Sequence, residues 1–259
     1  MIVTLTTDFG AHDHFVGVMK GVILGLAPRV TIVDITHEIA PFHINEAAFT
    51  ISEAYRWFPK KTIHVVVVDP GVGTTRRPIL VEAEGHRFIG PDNGVFSFLY
   101  DSPHKVRAIA NPALALKKVS RTFHGRDVFA PAAAHLAKGV APARFGKLVD
   151  DAIRSASLKP TETKKHRWTG TILHVDRFGN LITNFHMSDF AELRTRPFEI
   201  LAGSQIIRRL ALTYAEAGIG EVVAIEGSSG FLEISADQVS AAHKLGCRAG
   251  APVEIEIFY

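Results

Sequence analysis

Val65, Val66, Val67 and Val68 run without interruption into Asp69-Pro70-Gly71-Val72-Gly73. Successive side chains of a strand point to opposite faces. An unbroken valine run bounded by Pro and Gly therefore reads as a strand buried on both faces, as in a parallel sheet. In open parallel sheets, ligands sit beyond the carboxyl ends of the strands. Asp69 stands at such an end, Gly71 and Gly73 let the backbone pass close to a partner, and Arg76 and Arg77 follow within one loop. Taken alone, the segment fits a structural Asp at a turn with two solvated arginines equally well.

The flanking sequence supplies the rest of a sheet. Ile2 to Thr6 alternates apolar and polar residues and meets Asp8-Phe9-Gly10, a second strand ending at a carboxylate. Asp13 is expected to cap a helix in which Phe15, Val18, Met19, Val22, Ile23 and Leu26 recur at helical spacing, with Pro28 as its stop. Val30 to Ile35 completes a βαβ unit with a right-handed crossover. Asn45 is expected to cap a second helix reaching Trp57-Phe58. Ile79 to Ala83 and Arg87 to Ile89 read as a hairpin. Val95 to Tyr100 is expected as a short helix, Lys105 to Ala110 as a strand, and Val128 to Leu136 as a buried Ala-rich helix.

Between 151 and 167, Ser155, Ser157, Pro160, Thr161, Thr163, Lys164 and Lys165 cluster with few apolar neighbours and read as a linker. Beyond it lie short alternating segments, ending in Val253, Ile255 and Ile257 interleaved with Glu254 and Glu256, with one helix near Gln238 to Leu245. The expected fold is α/β. An N-terminal Rossmann-like domain, 1–150, carries a mostly parallel sheet, and a smaller β-barrel-like domain spans 168–259.

Several function classes are disfavoured. The 29 basic and 26 acidic residues nearly balance, with a net charge of +3 and no long basic run, so no nucleic-acid partner is expected. No apolar run reaches membrane-spanning length, so no membrane partner is expected. Met1 to Thr7 reads as a strand, not a signal peptide. Cys247 is the only cysteine, which excludes an intramolecular disulfide and fits a reducing cytoplasm. Neither G-x-G-x-x-G after the first strand nor a Walker A sequence is present. The 13 histidines, His12, His14, His37 and His43 among them, lack the i, i+4 pairing of a zinc protease, so no metal is expected. Gly227-Ser228-Ser229-Gly230 lacks the spacing of a serine-hydrolase elbow. The polar residues left at strand ends and Gly-rich turns are Asp8, Asp13, Asp69, Arg76, Asn93, His124, Asp176, Asn180, Ser228 and Ser229.

Six motifs occur in order: Thr7-Asp8-Phe9-Gly10 with Asp13; Val68-Asp69-Pro70-Gly71-Val72-Gly73 with Arg76; Pro91-Asp92-Asn93-Gly94; Thr122-Phe123-His124-Gly125-Arg126-Asp127; Asp176-Arg177-Phe178-Gly179-Asn180; and Gly227-Ser228-Ser229-Gly230. Together they resemble the S-adenosyl-L-methionine (SAM) hydroxide adenosyltransferase family, the SAM hydrolases related to fluorinases and chlorinases. The resemblance spans nearly the whole chain. It implies an α/β domain followed by a β-barrel-like domain, and a homotrimer with active sites between subunits. It implies hydrolysis of SAM to adenosine and L-methionine without a cofactor or metal. By the same resemblance, Asp69, Arg76 and His124 handle the water, with either Asp69 or His124 able to take its proton. Asp8 holds the ribose hydroxyls, and Asp13 and Asp176 lie near the methionine amine. Phe42 stands beside the ligand, and Asn93 belongs to the binding set. Phe178 and Asn180 contact adenine, and Ser228 and Ser229 lie at the methionine carboxylate. The halogenases carry an Arg where Ser229 stands. They also replace Asp69-Pro70 with Tyr-Pro and His124-Gly125 with Tyr-Ser. A carboxylate repels a halide, so water is the expected nucleophile. A SAM- or adenosine-binding protein without turnover uses the same pocket residues and is the alternative.

Overall fold

The computed structural model describes residues 1–155 and 159–259. The chain divides into two compact units, Met1–Ser155 and Ala156–Tyr259.

The first unit contains β1 (Ile2–Thr7), α1 (Phe15–Leu26), β2 (Thr31–Thr36), α2 (Ile44–Ala54), β3 (Ile63–Val67), β4 (Pro78–Ala83), β5 (His86–Pro91), β6 (His104–Ala108), α3 (Ala130–Ala137) and β7 (Leu148–Val149). Its sheet runs β2-β1-β3-β5-β4-β6-β7. The strands from β2 to β5 pair in parallel and those from β5 to β7 antiparallel, so the sheet is mixed where a mostly parallel one was expected. The reason is local. The Glu84-Gly85 turn, with both residues at positive φ, folds β4 straight back on β5.

β3 lies between β1 and β5 and is buried on both faces. Val65 and Val67 pack with Met19, Ile23 and Phe129 on the side of α1 and α3. Val66 and Val68 pack with Ile51, Val81 and Phe96 on the side of α2. Each fully buried valine contributes roughly 1.5–3 kcal/mol, so the run that reads most clearly in the sequence is also the shared wall of two cores.

Helix starts differ from expectation. α1 begins at Phe15 with His14 in the cap position, so the Asp13 carboxylate lies too far upstream to cap it and is exposed instead. α2 begins at Ile44, which places Asn45 inside the first turn rather than at the cap. The acid of that turn, Glu46, accepts the Ala40 N–H at 3.0 Å and ties down the preceding loop. Val95 to Tyr100 forms only a single 3₁₀ turn, Ser97–Leu99. The Ala-rich helix is entered through a wide π turn, Gly125–Phe129, directly after His124.

The second unit contains β8 (Thr161–Lys164), β9 (Arg167–Val175), β10 (Leu181–His186), β11 (Phe198–Ala202), β12 (Gln205–Ile207), β13 (Leu210–Ala211), β14 (Val222–Glu226), β15 (Phe231–Ala236), α4 (Ala241–Leu245) and β16 (Pro252–Ile257). β9 lends its first half to β16 and its second half to β10, and the sheet curls into a half-barrel. Val253, Ile255 and Ile257 are buried while Glu254 and Glu256 are partly exposed, as their alternation requires. α4 is shorter than expected. Its cap is Ser240, whose hydroxyl accepts the His243 N–H, and it ends at Gly246 in the left-handed conformation.

The stretch 151–167 carries structure at both ends, which a linker of that length does not. Asp151 pairs with Arg77, and the N–H groups of Ile153 and Ser155 bond to Asp92 and Ser97. β8 pairs with β9. Residues 156–158 of the expected linker lie outside the described residues.

Candidate active site

β1 and β3 are parallel neighbours, so their carboxyl ends deliver Asp8 and Asp69 to the same edge of the sheet. There they line a cavity of about 340 Å³ with Asp13, Phe42 and His124. Five of the residues singled out in the sequence therefore meet in one place.

Behind the cavity wall, Arg76 grips Asp69 through two donors. Nε donates to Oδ1 at 2.8 Å, and Nη2 donates to Oδ2. Both side chains are at least nine-tenths buried, at 8% and 6% exposure. Nη2 also lies 3.0 Å from His124 Nδ1. A guanidinium has no acceptor, so Nδ1 must be the acceptor, and the neutral ring carries its hydrogen on Nε2. Burial, and then the Arg76 charge, hold the His124 pKa below its ordinary value; Asp69 and Asp127 oppose this. Phe129 lies under the guanidinium at 5.3 Å.

Asp8 accepts the Phe42 N–H on Oδ2 at 2.9 Å. Burial pushes its pKa up; the Phe42 bond opposes this, and the nearby Asp69 charge adds to it. Phe42 itself sits at φ +69°, left-handed for a residue with a side chain, and is largely exposed. Asn93 is not on the cavity wall. Its amide donates to the Val68 carbonyl at 2.9 Å and its oxygen accepts the Val95 N–H, so it pins the end of the valine run just before Asp69.

The second unit has its own cavities. Asp176, Phe178 and Asn180 line one of about 510 Å³ with Tyr214 and residues 236–240. Asp176 Oδ1 accepts the N–H groups of Phe178 and Asn180, and Oδ2 accepts the Asn180 side-chain amide. This turn leaves the Phe178 ring 81% exposed. Ser228 lines a separate cavity of about 780 Å³ with Arg194, Arg208 and Arg209, so it does not join Asp176 there. Ser229 lines neither cavity. Among the described residues, no three His, Cys, Asp or Glu side chains are grouped to hold a metal ion.

Sequence reasoning missed the aromatic wall of the first cavity. Phe9, Phe15 and Phe123 meet with ring centroids 5.2–6.0 Å apart. Phe9 and Phe123 sit inside motifs whose polar members alone drew attention, and Phe15 reads as an ordinary helix-face residue. Tyr214 and its partner Glu233 were also missed. The hydroxyl donates to the carboxylate at 3.2 Å; burial raises the Glu233 pKa, the Tyr214 bond opposes this, and the Asp176 charge adds to the rise. They belong to no motif and come together only through the curl of the sheet.

Fold and cavity together define an α/β protein with a cavity at the carboxyl ends of parallel strands. The comparisons narrow this. Residues 3–146 match the SAM hydroxide adenosyltransferase N-terminal domain, and residues 170–254 match the C-terminal domain. A Thermus thermophilus protein named (R)-S-adenosyl-L-methionine hydrolase is 36% identical, covering 96% of this chain and 97% of the relative. A Methanocaldococcus jannaschii protein of the same name is 34% identical, covering 100% and 96%. The crystal structure of an uncharacterised conserved protein from Thermotoga maritima superposes with a TM-score of 0.90 at 35% identity, covering 98% and 99%. More distant relatives are named fluorinase. The chain belongs to the SAM hydroxide adenosyltransferase family.

Proposed function

We propose that this chain hydrolyses SAM to adenosine and L-methionine, with water attacking C5′. The observation that carries the reading is the buried Asp69–Arg76 pair joined to His124 on the wall of the cavity that also holds Asp8. A protein that only binds SAM has no use for that set.

The chemistry follows from the hydrogen bonds. A water oxygen forms a bond to C5′ as the C5′–S bond breaks. The bonding pair returns to sulfur, which leaves as a neutral thioether. Charge on the sulfonium is dispersed in the process, so a partly dry pocket favours the transition state. The water's proton needs an acceptor. His124 Nδ1 is taken by Arg76, so His124 offers a donor from Nε2 and orients the water. Asp69 keeps lone pairs beyond those bound to Arg76 and accepts the proton, which then passes to solvent. Arg76 fixes the direction of the Asp69 carboxylate through its two donors.

In the same reading Asp8 accepts from the vicinal ribose hydroxyls, and Asp13 and Asp176 attract the methionine ammonium. Phe42, Phe178 and Asn180 surround the nucleoside. Asn93 acts by holding the strand end, and Ser228 and Ser229 serve the carboxylate. The carboxylate of Asp69 disfavours a halide as nucleophile. We carry forward a homotrimer without a cofactor, working in the cytoplasm; the single cysteine fits that compartment. Among the described residues no helix is long and apolar enough to cross a membrane. The relatives' names specify an R form. With L-methionine and adenosine already defined, sulfur is the centre left to specify, and we extend that preference to this chain.

The test is incubation with SAM of each separated sulfur epimer, followed by chromatography, beside Asp69→Ala and His124→Ala. Equal adenosine and methionine from the R form, strongly reduced in both variants, is the expected result. Tight binding without product would replace hydrolysis with binding alone.

A further inference from the structure

His37 stands in the loop after β2, where its neighbour His43 invites comparison with a metal site, but its ring is used otherwise. The side chain is nine-tenths buried, at 10% exposure. Nε2 lies 3.0 Å from Asp34 Oδ1, and Lys20 Nζ holds the other Asp34 oxygen at 2.5 Å. The Nε2 approach is not aligned as an ideal hydrogen bond. At that distance, however, a carboxylate selects the ring form with hydrogen on Nε2, because the carboxylate can only accept. Nδ1 then bears the lone pair. It lies 2.9 Å from Thr7 Oγ1, so the Thr7 hydroxyl donates to it. The Thr7 oxygen in turn accepts the Phe9 N–H at 3.3 Å. The backbone of His37 closes the grip, since its carbonyl accepts the Gly10 N–H at 2.8 Å.

One residue thus holds positions 7 and 10, with Asp8 between them. Thr7 is fully buried at the end of β1, which makes its hydroxyl unavailable to a ligand. The sequence Asp34–His37–Thr7 has the order of a nucleophile triad but ends on a sealed hydroxyl. Its product is therefore geometry and not chemistry. The turn it fixes carries the carboxylate that faces the cavity. A carboxylate accepting from two adjacent hydroxyls needs a fixed plane, and fixed planes come from the groups behind the contact residue.

We propose that His37, acting through Thr7, is a positioning residue for Asp8 and sets the affinity of the site for the ribose hydroxyls. The inference rests on the hydrolase reading above. Its test separates the two by measuring adenosine binding calorimetrically as well as SAM turnover and melting temperature. Thr7→Val fills the same space without the hydroxyl, Thr7→Ser keeps the hydroxyl but leaves a methyl-sized gap, and His37→Gln removes the ring.

Thr7→Val and His37→Gln are each expected to weaken adenosine binding and raise the KM for SAM by about tenfold, the net size of one good hydrogen bond. The fall in kcat should be smaller. The double variant should be no worse than either single one, since both cut the same chain. Thr7→Ser should melt lower yet bind adenosine like the wild type. Affinity that instead follows melting temperature, with Thr7→Ser weaker than Thr7→Val, would overturn the proposal. So would additive losses in the double variant, or unchanged binding in both single variants. Wild-type protein that binds no adenosine would overturn the reading of the site itself, and this inference with it.

Discussion

Replacing Arg76 with Met removes one cation from a nearly dry cluster and leaves its two partners in place. Asp69 is 6% exposed, so the stranded carboxylate finds little water. Losing one member of a buried pair costs on the order of 3–5 kcal/mol. The imidazole next door offers relief. In the intact protein, burial and then the Arg76 charge hold His124 low, while Asp69 pushes it up. Two unit charges about 4 Å apart at an effective dielectric of about 20 interact by roughly 4 kcal/mol, and Arg76 Nη2 sits 3.0 Å from the ring. Solvent at the part-exposed imidazole discounts that figure, but its sign stands. In Arg76→Met, His124 is expected to take up a proton and pair with Asp69, so its pKa rises. NMR titration of the His124 ring protons reads the shift directly. Adenosine release should fall by about a hundredfold or more, because the oriented acceptor is lost. Arg76→Lys keeps a cation at the site and should leave His124 low. A folded Arg76→Met in which His124 titrates at the same or a lower pH would refute the reasoning.

Other outcomes follow from the same contacts. Because the His124 pKa is lowered from 6.5, turnover should persist below that pH and fail only as the ring protonates and turns an N–H toward Arg76; a pH–rate profile losing activity above 6.5 would contradict this. His64 is held down to about 3 by burial and then by His86. The unfolded chain therefore takes its proton first, and stability present above 6.5 is lost as pH falls towards 3, at up to about 1.4 kcal/mol per pH unit. Urea unfolding at two pH values should show a shallower loss in His64→Leu. At Gly227 an added Cβ falls 1.9 Å from Glu233 Oε1, so Gly227→Ala should cost on the order of 1–3 kcal/mol; an unchanged melting temperature would rule out that close approach. Phe42→Gly relieves a left-handed backbone worth about 1 kcal/mol but removes the ring, so it should be as stable as the wild type while binding SAM more weakly.

The parts of the fold that were legible share a property: their signals are local. The valine run announced a strand buried twice over, and both of its faces are in cores. The alternation of Val253 to Ile257 announced a half-buried strand and is one. Helix starts were misread because Asp13 and Asn45 are good capping residues by type, while the helices begin at Phe15 and Ile44 with His14 and His43 in the cap positions. The short strands β7, β12 and β13 went unseen, since two or three residues carry no period and exist only through their partners.

The candidate site divides in the same way. Asp8, Asp69 and His124 were found because each belongs to a short motif, and motifs are contiguous. Phe15 of the aromatic wall and the Tyr214–Glu233 pair were not found, because nothing contiguous marks them. His37 drew notice for its type and was assigned no role, since its partners Thr7 and Asp34 sit on different strands. The order of residues along the chain thus determined which chemical groups stand at strand ends and which segments must be buried. Only the tertiary structure decided which nitrogen of His124 carries hydrogen and what holds Asp8 in place. Those depend on hydrogen-bond directions between residues far apart in sequence, such as the 48 positions separating Arg76 from His124.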